Sequence, residues 1–279
     1  MSERFDQVVA IMARLRGEGG CPWDRKQTRE SLKPYLIEEA YEVLETIDAK
    51  DDPKLKEELG DVLLQILFHA QIGREHNTFT IEDVLATLAD KLIRRHPHVF
   101  GGTRVSEAEE VVHRWEEIKR REKADQSGSG EAGSALAGVP KALPALLRTY
   151  QLQVRAARVG FDWPRDETGY AQVVGKVQEE LREVDEARTQ AARSPTDAAQ
   201  RRLEQEIGDL LLALVNLARF TKVNPEEALR GAANRFAARF THMEQTARAR
   251  GRSLSDTTLA EMDRLWDEAK SAERDQTGP

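Results

Sequence analysis

A chain of 279 residues, 39% hydrophobic, 33% charged and only 6% aromatic, has room for two modest domains and suits a helical protein. Its net charge of −7 argues against a general nucleic-acid binder, which is ordinarily basic. The single Cys21 excludes an intrachain disulfide framework and fits a reducing cytoplasm; with no apolar leader region and no run of membrane-spanning length, no membrane partner is expected.

Phe5 to Leu15 is predicted helical, because Phe5, Val8, Val9, Met12 and Leu15 share one face. Gly17-Glu18-Gly19-Gly20 ends it, and Cys21-Pro22-Trp23 reads as an ordered loop. Thr28 or Ser31 stands where it can cap the run into a first acidic helix. There Leu36, Ile37, Ala40, Val43, Leu44 and Ile47 fall on one face, while Glu38, Glu39 and Glu42 cluster on another. Asp51-Asp52-Pro53 is a turn, with Pro53 opening a second acidic helix. Leu59, Val62, Leu63, Leu64, Ile66, Leu67 and Phe68 run almost all the way round that helix, which predicts that it is largely buried. Glu58 and Asp61, at i and i+3, lie inside this apolar surface. A solvated acidic face is the commoner use of such residues, but buried carboxylates without partners are costly. The economical way to neutralise them is a hard divalent cation with oxygen ligands, Mg²⁺ or Mn²⁺.

Thr80-Ile81-Glu82-Asp83 resembles a capping box that starts a helix ending near His96-Pro97, with Lys91, Arg94 and Arg95 in its last turns. Ser106 to Glu122 is a further predicted helix, carrying Trp115 and Lys119 at i and i+4. Residues 123–138, rich in Gly and Ser, are expected to be a flexible linker between a domain at 1–122 and a second at 139–270; a tail at 271–279 is expected to be disordered. Ala187 to Arg202 reads as an extended connection. No convincing alternation of strands occurs, so the fold class expected is all-α, two tandem helical-bundle domains.

The two halves repeat one another. Glu179-Glu180-Leu181-Arg182-Glu183 matches Glu38-Glu39-Ala40-Tyr41-Glu42, and Glu206-Ile207-Gly208-Asp209 matches Glu58-Leu59-Gly60-Asp61. Lys91 and Arg95 correspond to Arg235 and Arg239, and Trp115 and Lys119 to Trp266 and Lys270. Offsets that drift between pairs signal changes of loop length in a duplicated unit. Acids at this spacing with basic residues on another helix suit metal-assisted handling of a polyphosphate: the acids hold metal, while cations and metal hold the phosphates. A carboxylate not consumed as a ligand can take a proton from water, and Trp115 or Trp266 can stack on a base. Other sites fit less well. Glu110-Val111-Val112-His113 has no counterpart for a di-iron site, a zinc cluster lacks ligands, and no P-loop is present.

Gly20-Cys21-Pro22-Trp23-Asp24, the Glu-Glu-x-x-Glu and Glu-x-x-Asp pairs, and Arg94-Arg95-His96-Pro97-His98-Val99-Phe100 make the first half resemble the MazG family. Val159-Gly160-Phe161-Asp162-Trp163 and Val215-Asn216-Leu217-Ala218-Arg219 do so in the second half. The acid pairs alone also occur in the related all-α dUTPase and phosphoribosyl-ATP pyrophosphatase families. The resemblance implies an intertwined homodimer and Mg²⁺-dependent hydrolysis of NTPs or dNTPs at the α-phosphorus to the monophosphate and pyrophosphate, in a nucleotide-pool house-cleaning role. It implies Glu180, Glu183, Glu206 and Asp209 as metal ligands, Glu179 as a base candidate, and Lys176, Arg202, Arg235, Arg239, Trp266 and Lys270 around the nucleotide. In the first copy Glu39, Glu42, Glu58 and Asp61 would be the ligands, with Glu38 beside them and Lys54, Lys91, Arg95, Trp115 and Lys119 around them. Two departures are visible: Arg235 stands where the family typically has Lys, and Tyr35 stands where the second copy has Lys176. The alternatives are a nucleotide- or metal-binding regulatory scaffold and a narrow-specificity dUTPase-like enzyme.

Overall fold

The computed structural model describes residues 3–101, 118, 122 and 134–276. Among them there are helices and no strands, so the all-α class holds. The chain divides into two units, Met1–Gly130 and Glu131–Pro279, and the division falls within the Gly- and Ser-rich stretch 123–138.

In the first unit the elements are α1 (Glu3–Arg16), α2 (Pro22–Lys26), α3 (Lys33–Ala49), α4 (Asp52–Glu75), α5 (Ile81–Arg95) and α6 (Pro97–Phe100). A tight reversal joins α3 to α4. Lys50 takes the left-handed conformation (φ 54°), Asp51 accepts a hydrogen bond from the Lys54 backbone N–H, and Pro53 sits in the first turn, where its missing N–H costs nothing. The two helices then pack along each other as a hairpin, which brings their acidic stretches together. Met12, Leu32, Leu67, Phe68, Ala70, Ile72 and Ile81 form the core at the far end of α4, against α1 and α5. The capping box at Thr80 and Asp83 forms as expected.

Two expectations need correction in this unit. Thr28 and Ser31 do not cap α3, whose N-cap is Leu32; they bond to each other's backbone N–H in a separate turn just before it. Nor is α4 largely buried. Its second half mostly is, with Ile66 40% exposed, but in its first half only Glu58 is buried and Leu59 is 52% exposed.

The second unit comprises α7 (Ala145–Arg158), α8 (Glu167–Arg193), α9 (Asp197–Phe220), α10 (Pro225–Ala249), a 3₁₀ turn (Leu254–Asp256) and α11 (Leu259–Gln276). Asp166, Thr196 and Asn224 cap α8, α9 and α10 through their side chains. The hairpin of α8 and α9 is the counterpart of α3 and α4, with α7 packed on α9 and α11 on α10. The extended connection expected over 187–202 is absent: α8 runs to Arg193, Thr196 caps α9, and only Ser194 to Thr196 join them. The reason is local, since Ala187, Ala191 and Ala192 are strong helix formers and the extra residues lengthen the hairpin. Likewise α11 continues beyond Lys270 to Gln276.

Candidate active site

In the first unit, Glu39 on α3 and Glu58 and Asp61 on α4 bring carboxylate oxygens within 4.8 Å of one another. Glu42 joins them one turn along α3, close enough to Glu58 to share a hydrogen bond. Burial pushes the Glu39 carboxyl up, with Asp61 and Glu42 pushing the same way. Burial does the same at Glu58, followed by the charge of Glu42. Lys54 Nζ lies 3.7 Å from Glu58, a loose contact. Gln65 Nε2 donates to Glu39 at 3.4 Å, while the amide oxygen of this buried side chain has no partner. Glu38 stays exposed, outside the three-acid group. At the entrance to α3, Trp23 meets Tyr35 and Phe68 edge-on, with ring centroids 5.8 and 6.4 Å apart.

The second unit repeats the arrangement. Glu180 on α8 and Glu206 and Asp209 on α9 again bring oxygens within 4.8 Å. The Glu183 carboxyl is pushed up by burial and then by Glu180 and Glu206, which places it among them. Arg202 reaches Glu206 at 3.4 Å, as Lys54 reaches Glu58. The difference is Lys176, whose ammonium lies 2.7 Å from Glu180 and 3.0 Å from Glu179 and is held strongly protonated by these two bonds, Glu180 first. Glu179 is exposed and lies outside the three-acid group, as Glu38 does.

The remaining predicted contacts lie on other helices. Arg239 on α10 stacks its guanidinium over Trp266 of α11, 5.6 Å from the ring centroid, and bonds Glu273 at 2.7 Å. Lys270, on the same helix, pairs with Asp267 at 3.3 Å, and Arg235 is exposed. No ion pair among the described residues joins Arg235, Arg239 or Lys270 to the acids of α8 and α9. In the first unit Lys91 is half-buried on α5, and Arg94 and Arg95 both bond Glu122, whose carboxyl they hold down at about 2. Trp115 and Lys119 lie outside the described residues.

Sequence reasoning missed Gln65, Glu122 and Glu273. The last two had a usable signal: Glu122 and Glu273 are related by the same offset as Trp115 and Trp266, so each repeat carries a glutamate seven residues beyond its tryptophan. It also left unexplained why Asp162 belongs with Asn216 and Arg219. Buried Arg219 spans them, donating to Asp162 at 2.5 and 2.9 Å and to Asn216 at 2.5 and 3.1 Å, and this ties the loop before α8 to α9.

Both acid groups suit a hard divalent cation. They offer carboxylate oxygen with no His or Cys among them, and burial, with crowding behind it, raises Glu39 and Glu183, carboxyls that a cation would stabilise as anions.

A model of the MazG nucleotide pyrophosphohydrolase domain matches residues 27–100. Over 269 residues the chain is 46% identical to the nucleoside triphosphate pyrophosphohydrolase/pyrophosphatase MazG of Thermotoga maritima, covering 96% of each chain. Over 273 residues it is 42% identical to the nucleoside triphosphate pyrophosphohydrolase of Escherichia coli (strain K12), covering 98% of this chain and 99% of that one. Protein YabN of Bacillus subtilis (strain 168) is 46% identical over 270 residues, which make up 97% of this chain and 52% of the longer relative.

Proposed function

The chain belongs to the MazG family of nucleoside triphosphate pyrophosphohydrolases, and from that premise we propose that its two acid groups are the sites where nucleoside triphosphates are cleaved at the α-phosphorus. The protein is a hydrolase of phosphoanhydride bonds, and its substrates are NTPs or dNTPs. The observation that carries the site assignment is the paired geometry: the same acids, from the same two helices, converge in both units.

Glu180, Glu183, Glu206 and Asp209 would hold a divalent cation in the second unit, and Glu39, Glu42, Glu58 and Asp61 in the first. We assign Mg²⁺, with Mn²⁺ as a substitute, on the hardness of the donor set. When bound, such a cation polarises the phosphoryl group, offsets charge on the departing pyrophosphate and acidifies water. The chain's own residues do the rest. Glu179, next to the ligand set and outside it, takes the proton of the attacking water, and Glu38 has that place in the first unit. Lys176, Arg202, Arg235, Arg239 and Lys270 hold the phosphates, and Trp266 offers its ring to the base; Lys54, Lys91, Arg95, Trp115 and Lys119 do so in the first unit. Main turnover falls to the second unit, where a lysine stands at position 176; in the first unit the equivalent Tyr35 brings no charge to a phosphate.

A homodimer completes this reading. Leu36, Ile37, Tyr41, Ile47 and Leu59 on α3 and α4, and Leu181, Ile207, Leu211 and Leu212 on α8 and α9, are large apolar side chains left exposed on the acidic hairpins, and a second copy of the chain would cover them. No described helix is long and apolar enough to cross a membrane. We place the enzyme in the cytoplasm, in a house-cleaning role on the nucleotide pool.

The test is a panel of NTPs and dNTPs in the presence of Mg²⁺, with products resolved as pyrophosphate or orthophosphate. Pyrophosphate with the monophosphate is expected, and chelation of the metal should abolish its release. Orthophosphate with the diphosphate would contradict attack at the α-phosphorus, and consumption of a single nucleotide would select the narrow-specificity enzyme instead.

A further inference from the structure

We propose that Lys176 is a counter-ion built into the second unit's acid group and missing from the first, so that without nucleotide the first site takes a divalent cation while the second holds Lys176 in its place. The inference rests on the acid groups being metal sites, as set out above.

The two groups share one plan. Each has an acid from the first helix of its hairpin and two from the second, all within 4.8 Å, and a basic side chain one turn before the first of that pair, Lys54 or Arg202. They part at two equivalent positions. Tyr35 stands where Lys176 does, and Gln65 where Ala213 does. In the second unit the buried Glu180 therefore has an ammonium at 2.7 Å. In the first unit Glu39 has a neutral amide at 3.4 Å instead, from Gln65, which is only 4% exposed and whose own oxygen lacks a partner.

A phenol cannot offset a carboxylate, and an amide offsets it only by a weak, uncharged hydrogen bond. An unsatisfied amide oxygen beside Glu39 adds one more acceptor that a cation, or water around it, would satisfy. In the first unit Glu39, Glu42, Glu58 and Asp61 thus have Lys54 as their only cationic contact among the described residues. In the second, Glu180, Glu183, Glu206 and Asp209 have Arg202 and the closer Lys176. A cation entering the second site must break the Lys176–Glu180 bond. It gains when a polyphosphate is there to receive the displaced ammonium, so metal and nucleotide arrive together at that site. The first site has no such requirement.

The experiment is Mn²⁺ binding to the full chain without nucleotide, following free Mn²⁺ by electron paramagnetic resonance. One tight class per chain is expected in the wild type, weakened by Glu42→Gln and untouched by Glu183→Gln. Lys176→Met should tighten the second site about tenfold, the scale of one half-buried ion pair removed from competition. Tyr35→Lys should weaken the first site by a similar factor, and both substitutions together should reverse the order in which the sites fill. Helical circular dichroism confirms that each variant is folded. Weaker or unchanged Mn²⁺ binding in Lys176→Met would overturn the inference and leave the activity assignment standing. Absence of any nucleotide-free binding would overturn it too; metal-dependent pyrophosphate release by the same protein then shows whether the activity assignment falls with it.

Discussion

Asp162 and Arg219 illustrate how single residues carry the second unit. The Arg219 side chain is 5% exposed and among the described residues finds its charge partner only in Asp162, so removing the acid strands a buried guanidinium. Asp162→Ala is expected to cost about 3 kcal/mol, measured by denaturant unfolding of the second unit's transition. Arg219 holds the Asp162 carboxyl below its ordinary value, a depressed acid, so the pair's contribution is present above the unfolded-state pKa of about 4 and is lost as pH falls below it. The wild type should therefore lose stability in that window more steeply than Asp162→Ala. Equal slopes would show that the pair contributes nothing. Glu273 fixes the guanidinium that lies over Trp266, and in the nucleotide site proposed for these two side chains it would act one step from the substrate. Glu273→Gln should raise KM about five- to tenfold with kcat little changed, since it loosens a binding group and leaves the acid group intact. At this scale the convergence of the acids was legible, because charges inside an apolar helix have few uses. Glu122 and Glu273 were not, since an arginine and a glutamate meeting across two helices leave no spacing signature, and only the repeat offset marked them.

The acidic hairpin is the element on which each unit is built. Its turn was readable from Asp51 and Pro53, and its capping residues Asp51, Asp166 and Thr196, like Thr80 and Asn224 on the helices that follow, fit ordinary helix-start chemistry. The length of the second hairpin was misjudged because Ser194-Pro195 signals a break while the alanines before it carry the helix right up to that point. Burial of α4 was misjudged for another reason: an apolar residue on a helix shows that a partner is wanted, not which chain provides it. Gly60 and Gly208 sit at equivalent places in these helices, and a Cβ at either would meet nothing within 4 Å in a single chain. Acting alone, the chain would gain about 0.5–1 kcal/mol from Gly60→Ala or Gly208→Ala. In the homodimer we propose, a second copy seated on the hairpins would fill that room, so the proposal predicts no gain from either substitution and a Tm that rises with protein concentration. A concentration-independent Tm and a gain from both substitutions would contradict the dimer.

Across the whole molecule, duplication made the function readable. One acidic helix face is commonplace; the same acids at the same spacing in two halves, followed each time by an apolar run, are not. The structure adds what spacing could not convey, namely which acids converge and how the two sites differ in countercharge. If these groups are the reaction centres, neutralising one acid in each must stop the enzyme. Pyrophosphate release from Mg²⁺ and NTPs should be compared in wild type, Glu42→Gln, Glu183→Gln and the double variant. Glu183→Gln is expected to lose at least about 100-fold in kcat, Glu42→Gln far less, and the double variant all activity above background. Wild-type turnover in the double variant would show that the acid hairpins are not where the phosphoanhydride bond is broken.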